Sequence, residues 1–209
     1  MSYKYKLLIT LTIICISLAA CSKENSTVNS TVTQEEDIVE NNIDLDDTTM
    51  KMLQLQQDLQ RSNYKLEYTY EPENKPSMHA IITIDDEITH IEAENINMFI
   101  DNKNNVTYIK NDEQWLKNAG VYANELSCIG NEAIQNVQAI GNIEITDLEI
   151  KASSDIGTAT IKIDSEKVLP LEISIKQTGE YKNYKYTYDL DSELEIPIEV
   201  IEQAVETEQ

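Results

Sequence analysis

The sequence is short of the residues on which most enzyme sites are built. Its 209 residues include only five glycines and two histidines, His79 and His90. Five scattered glycines make no phosphate-binding loop, and neither histidine has a cysteine or glutamate beside it at a metal-ligand spacing. No Gly-x-Ser-x-Gly motif occurs either. We therefore expect a protein that is not an enzyme and that binds no cofactor and no metal.

Basic residues are also few, at 16 lysines and arginines against 38 aspartates and glutamates. The formal charge is −22, and removing residues 1–20, which hold Lys4 and Lys6 but no acid, takes it to −24. Such a chain is repelled by nucleic acid and by anionic membrane surfaces. No nucleic-acid partner is expected, and attachment to a membrane would require a covalent anchor.

Long hydrophobic runs are absent except for Leu7–Leu18 at the N-terminus. About a dozen apolar residues are too few for a transmembrane helix, which needs about 20. The run ends at Leu18-Ala19-Ala20-Cys21, which resembles the lipobox of bacterial lipoproteins. The resemblance implies a signal peptide over residues 1–20 and diacylglycerol on the Cys21 sulfur. A transmembrane anchor or an ordinary secretory signal, the two alternatives, would not predict a cysteine at this boundary.

The predicted anchor places the protein on the extracytoplasmic face of the cell membrane, attached to membrane lipid through Cys21. Two acyl chains are enough for stable attachment. Residues 21–47 are rich in polar and acidic residues without a period, which predicts a lipidated, disordered tether. Apart from Cys15 and Cys21, Cys128 is the only cysteine, and we expect a small buried side chain there; the other interpretation is a reactive or intermolecular thiol.

Residues 48–209 are expected to form one domain. Apolar residues at helical spacing predict a helix over Thr48–Ser62 and helical structure within Ala119–Ile140, interrupted at Gly130-Asn131. Between and after them, apolar residues alternate with polar ones in about nine short segments, and we expect a bulge near Thr146-Asp147 to join two of them. Because no βαβ alternation occurs, the predicted fold is α+β, with a strongly curved antiparallel sheet, a half-barrel, and helices on its concave face.

The order of these segments resembles the LolA/LprG-like bacterial lipoproteins. The likeness rests on the hairpin Tyr108-Ile109-Lys110 to Trp115-Leu116-Lys117, the strand Lys167–Ile173 and the terminal Ile196–Ala204. It implies a half-open antiparallel β-barrel whose concave apolar face holds a lipid-like molecule, or which acts as a sensor or regulator. The chain is more acidic than a typical carrier of this family, and a fixed anchor would prevent free shuttling.

Two functional hypotheses follow. In the first, the concave face binds a hydrophobic or lipid-like ligand; in the second, the core is filled and the protein binds another envelope protein. The tyrosine rows either contact the ligand or were selected for strand propensity and cross-strand packing. Trp115 likewise either lines the ligand pocket or packs in the core. The candidate ligand-binding residues are Tyr64, Leu66, Tyr68, Ile82, Met98, Trp115, Ile173, Tyr186 and Tyr188.

Overall fold

A computed structural model describes residues 47–120, 125–190 and 193–207 of the chain. The predicted signal peptide, the predicted lipidation site Cys21 and nearly all of the predicted tether lie outside the described residues. In the part that is described, no helix is long and apolar enough to cross a bilayer.

Twelve strands form one curled sheet in the described ranges. Most of them follow strict alternation of apolar and polar residues, so each has one face to bury and one to expose. The strands are β1 (Tyr64–Pro72), β2 (Met78–Ile84), β3 (Ile88–Ala93), β4 (Ile96–Asp101), β5 (Val106–Asn111), β6 (Gln114–Ala119), β7 (Asn142–Ile145), β8 (Glu149–Ser154), β9 (Gly157–Ile163), β10 (Pro170–Gln177), β11 (Glu180–Thr187) and β12 (Val205–Glu206).

The sheet consists of two antiparallel meanders that meet at β1 and β11. Its order is β12-β6-β5-β4-β3-β2-β1-β11-β10-β9-β8-β7, so β12 and β7 are its two ends and the sheet does not close. All neighbours are antiparallel except β12, which pairs with β6 in parallel. Most sequence-adjacent strands therefore pair through short turns, whereas the central β1–β11 contact and the β12–β6 contact join distant parts of the chain.

Two helices cover one face of the sheet. They are α1 (Asp47–Gln60) and α2 (Glu125–Ile140), which also pack against each other. α1 buries Met52, Leu55 and Leu59, and α2 buries Ile134 and Val137. Together with the inward-facing residues of the strands these form the main hydrophobic core. The predicted α+β half-barrel with helices on the concave face is confirmed.

A third, short helix lies on the opposite face. α3 (Ile198–Gln203) buries Val200 against Phe99 and Tyr108, whose side chains alternate with Met98 and Ile109 of the main core. From α3 the chain passes directly into β12. The sequence pattern does not indicate β12, because a two-residue parallel strand is too short to produce a period of two.

Two local predictions are also corrected. α2 is unbroken through Gly130, because that glycine permits close helix–sheet packing: a Cβ there would lie 2.8 Å from the Tyr64 hydroxyl oxygen. Instead of a bulge near Thr146, a tight turn joins β7 to β8, with the Thr146 N–H donating to the Glu149 carbonyl oxygen at 2.8 Å. A register shift occurs in β10, between Pro170 and Glu172, and leaves Leu171 exposed.

Candidate functional site

The tyrosine rows of β1 and β11 come together on the concave face. Tyr68 pairs with Tyr184 and Leu66 with Tyr186 across the two strands. The ring centroids of Tyr64 and Tyr186 are 5.5 Å apart, and those of Tyr68 and Tyr184 are 5.0 Å apart. Such distances suit edge-on and tilted aromatic contacts. We call Tyr64, Tyr68, Tyr184, Tyr186 and Tyr188 the tyrosine cluster.

The tyrosine cluster is packed under α2. The Tyr186 hydroxyl donates a hydrogen bond of 2.8 Å to the carbonyl oxygen of Gly130, in the middle of that helix. Leu66 and Ile173 are fully buried, so their side chains are packed against other protein atoms. The concave wall around these residues is therefore part of the packed main core.

Burial also sets the acidity of the tyrosine cluster. Loss of hydration raises the pKa of Tyr64, Tyr184 and Tyr188 and raises that of Tyr186 well above its usual value of 10.0. Burial, followed by the charges of Tyr70 and Glu180, raises the pKa of Tyr68 to about 12. These hydroxyls are neutral hydrogen-bonding groups in the folded domain and supply no base or nucleophile at neutral pH.

Eight of the nine candidate ligand-binding residues share the concave face. Tyr64, Leu66, Tyr68, Ile82, Met98, Ile173 and Tyr186 are buried in the main core, and Tyr188 packs half-buried at its edge. Trp115 is the exception, and its place among the candidate ligand-binding residues of the concave face must be corrected. It lies on the convex face, where its ring centroid is 5.8 Å from that of Phe99 and 5.9 Å from the ammonium of Lys110. The hairpin register, which places Trp115 opposite Lys110, decides this face.

An open pocket of about 490 Å³ lies at the end of the sheet beside Tyr188. We call it the rim pocket. It is formed where α1 passes into β1, where β2 ends, and where the chain enters β10 and leaves β11. Its lining residues are Ser62, Asn63, Asp85, Lys167, Leu169, Tyr188, Asp189, Leu190 and Glu193.

Tyr188 joins the rim pocket to the tyrosine cluster. Its ring lies 6.4 Å from that of Tyr64 and 6.5 Å from that of Tyr186. Its hydroxyl donates to the Pro170 carbonyl oxygen at 2.7 Å, which fixes the ring in place. Leu169 is buried and Leu190 is half-buried, and together with Tyr188, which packs against the main core, they give the pocket an apolar floor.

Three of the polar residues that line the rim pocket are acidic and one is basic. Asp85 accepts a hydrogen bond of 3.2 Å from the Leu194 N–H. The ammonium of Lys167 forms an ion pair with Asp189 and lies 5.7 Å from the Tyr188 ring. Glu193 is an exposed carboxylate. An apolar floor with a polar rim suits an amphipathic ligand, and nothing in this arrangement supplies a nucleophile with an activating base.

Sequence reasoning identified only Tyr188 among the rim-pocket residues. The others come from four separate segments, and their juxtaposition depends on the β1–β11 pairing. In the structure, the pocket is marked by Val168 and Asp189. They adopt positive φ angles of 56° and 59° where the chain enters β10 and leaves β11. Non-glycine residues with positive φ are uncommon and often mark functional sites, but this strain is visible only in the structure.

Other side chains that could act in catalysis or metal binding have structural partners. His79 Nδ1 is 3.2 Å from the Thr69 hydroxyl, and the His90 ring stacks on Phe99 at 4.0 Å. The sequence Ser62-Asn63-Tyr64-Lys65 matches Ser-x-x-Lys, but Ser62 donates its hydroxyl to the Asp58 carbonyl oxygen and Lys65 points away from the concave face. Within the described ranges, no group of three or more His, Cys, Asp or Glu residues could hold a metal ion.

Cys128 is half-buried on α2, and its sulfur lies 3.7 Å from the Ser127 hydroxyl oxygen. The expectation of a small buried side chain there is met only in part, because the residue keeps some exposed surface.

The fold is of the LolA/LprG-like class, an unclosed curled antiparallel sheet with helices on one face. Lipoprotein LppX of Mycobacterium tuberculosis matches it with 9% identity over 68% of this chain and 95% of its own, at a TM-score of 0.40. The Pseudomonas aeruginosa MucA/MucB complex matches with 8% identity over 68% of this chain and 56% of the matched chain, at a TM-score of 0.33. LolA superfamily protein NE2245 of Nitrosomonas europaea matches with 6% identity over 66% of this chain and 90% of its own, at a TM-score of 0.28.

No family model and no curated protein matches the sequence. The resemblance inferred from the order of segments is thus confirmed as a likeness of fold. At these identities and TM-scores, it says nothing about ligand, partner or location.

Proposed function

We propose that the chain is an extracytoplasmic lipoprotein, anchored to the cell membrane through Cys21, whose half-barrel is a binding module without enzymatic activity. The ligand is hydrophobic or lipid-like, and its apolar part lies in the rim pocket against Leu169, Tyr188 and Leu190. The observation that supports this most directly is the open pocket of about 490 Å³ with an apolar floor. Pockets of this size accommodate small ligands.

The packed concave face limits where such a ligand can bind. Because Leu66 and Ile173 are fully buried, the ligand would contact the end of the tyrosine row and would not replace α2. The same packing favours a second candidate function, in which the protein binds another envelope protein and holds no lipid. The two differ in what the purified protein carries, since only the first predicts lipid in the mass spectrum of protein extracted from membranes.

Filling the rim pocket should abolish ligand binding. Asn63 is exposed and lines the pocket, so Asn63→Trp places an indole in it without disturbing the main core. We expect the Kd for a neutral fluorescent monoacylglycerol to rise at least about tenfold, which corresponds to about 1.4 kcal/mol of binding free energy. Fluorescence titration of the purified domain measures this.

The matched control is Asn142→Trp, at an exposed position where β7 begins. It adds the same indole at the far end of the sheet order and should leave the Kd unchanged. Equal affinities in wild type and both variants, together with no co-purified lipid, would contradict binding in the rim pocket and favour the protein-binding function.

Lipid attachment at Cys21 has its own test. Cys21→Ser should leave the chain unacylated and move it from the detergent-extracted to the salt-soluble fraction, because the acidic domain has no electrostatic attraction to anionic lipid. Cys15→Ser, inside the predicted signal peptide, is the control and should behave as wild type. The mass of the N-terminal peptide shows the added diacylglycerol directly. A mass increment removed by a reductant would indicate a disulfide instead and would contradict lipidation.

A further inference from the structure

The last described segment, residues 193–207, combines exposed apolar side chains with charge of one sign. Ile198 is 64% exposed, Ile201 45% and Val205 49%. The segment contains five glutamates and no lysine, arginine or histidine. Single exposed apolar residues are common, but three within eight residues make a patch. We call Ile198, Ile201 and Val205, with Glu199 and Glu202, the α3 surface.

The helical geometry places Ile198 and Ile201 on the outer side of α3. Val200 packs on Phe99 and Tyr108. Ile196 and Ala204, four residues before and after Val200, pack beside it, so these three residues define the inner face of α3. Ile198 and Ile201 are three residues apart and are neighbours on the outer face. Around the helix axis, at 100° per residue, Glu202 lies about 40° from Ile198 on the side away from Ile201, and Glu199 lies about 60° further round.

The folding of the domain does not explain why the outer face of α3 carries apolar side chains. Isoleucine has a lower helix propensity than most straight-chain residues, and here it buries little surface in return. The short helix is fixed instead by Val200 on its inner face and by β12, where Glu206 pairs with Lys117 at 3.2 Å. The exposed isoleucines are therefore available for an interaction outside the domain.

Charge decides what can cover the α3 surface. An anionic membrane surface is repelled by its carboxylates, and a second copy of the chain would bring the same carboxylates against them. The stretch from Ser22 to Asp46 is also acidic, with Lys23 as its one basic residue. The basic side chains nearest in the sheet are engaged, Lys117 with Glu206 and Lys110 over the Trp115 ring.

We propose that the α3 surface is a docking site for a basic, apolar segment of another protein. Ile198, Ile201 and Val205 would be buried by apolar side chains of that segment, and Glu199 and Glu202 would pair with its lysines or arginines. This surface lies on the convex face, so it is separate from the rim pocket and does not depend on the proposed ligand.

A labelled peptide of alternating lysine and leucine serves as the probe, and fluorescence anisotropy with the mature chain gives its Kd. The double variant Ile198→Ser/Ile201→Ser should raise the Kd at least about tenfold. Glu199→Gln/Glu202→Gln should weaken binding at low salt and reduce its dependence on salt. A lysine–serine peptide and a glutamate–leucine peptide should both bind more weakly than the lysine–leucine peptide.

The matched control is Leu148→Ser/Ile156→Ser, which removes two similarly exposed apolar side chains elsewhere. This variant should bind the probe as wild type does. An unchanged Kd for Ile198→Ser/Ile201→Ser, or an equal loss in the control, would overturn the proposal. So would a dimer in sedimentation, or binding to phosphatidylglycerol vesicles, that the Ile198/Ile201 substitutions abolish.

Discussion

Tyr64→Ala is expected to lower the free energy of unfolding by about 3–5 kcal/mol, the usual cost of removing a buried aromatic side chain. Tyr64 is almost completely buried between β1 and α2, and its ring contacts those of Tyr186 and Tyr188. Deleting the ring leaves a cavity that unbroken α2 cannot fill by collapsing. Urea unfolding, monitored by circular dichroism, gives the change directly.

The control for this variant is Tyr181→Ala. Tyr181 is half-buried on β11 and has the opposite parity to Tyr184 and Tyr186, so it lies on the other face of the sheet. Its replacement should cost about 1 kcal/mol or less. If Tyr64→Ala proved as mild as the control while the protein lost a bound lipid, the concave face would be a ligand wall and the packed core described above would be wrong.

The packing of the tyrosine cluster was largely predictable, because alternation is the strongest signal that a strand leaves in a sequence. Tyr64, Leu66 and Tyr68 follow it without interruption, and so do Tyr184 and Tyr186. Once β1 and β11 pair, all five must share one face. Whether the tyrosine cluster packs in the core or forms a ligand wall could be decided only once the position of α2 was known.

The features that could not be predicted depend on tertiary contacts. A glycine inside a helical pattern normally indicates a break, yet Gly130 permits close approach of Tyr64. The sequence predicted about nine strands and the described ranges contain twelve. The predicted bulge near Thr146 is a turn that separates β7 from β8, and β12 is too short to show a period. Trp115 was placed on the wrong face because the register of its hairpin sets its side. The division into residues 1–20, 21–47 and 48–209 stays a prediction.

The second large effect is expected at high pH, where the domain should unfold cooperatively. In an unfolded chain tyrosine ionises with a pKa near 10. Burial keeps Tyr64, Tyr184 and Tyr186 neutral to higher pH in the folded domain, because it raises the pKa of each hydroxyl. Above pH 10 the unfolded state therefore binds fewer protons than the folded state, so stability falls as pH rises; below pH 10 these groups leave it unchanged.

The size of this effect follows from the number of buried rings. Each buried tyrosine costs about 1.4 kcal/mol per pH unit above 10, so these three alone cost about 4 kcal/mol per pH unit, and Tyr68 and Tyr188 add to this. With a total stability of about 5–15 kcal/mol, typical of a domain, unfolding is expected roughly between pH 11 and 13. The ultraviolet absorbance of tyrosinate should rise in the same narrow pH range in which circular dichroism is lost.

Tyr64→Phe supplies the control, since phenylalanine keeps the ring but cannot ionise. Removing one of these groups reduces the slope by at most about a third, so the midpoint of alkaline unfolding should move up by a few tenths of a pH unit. A gradual rise in tyrosinate absorbance while the circular dichroism stays intact would show instead that water reaches these rings in the folded protein. In that case the concave face would be open, and a lipid could bind along the whole tyrosine cluster and not only at the rim pocket.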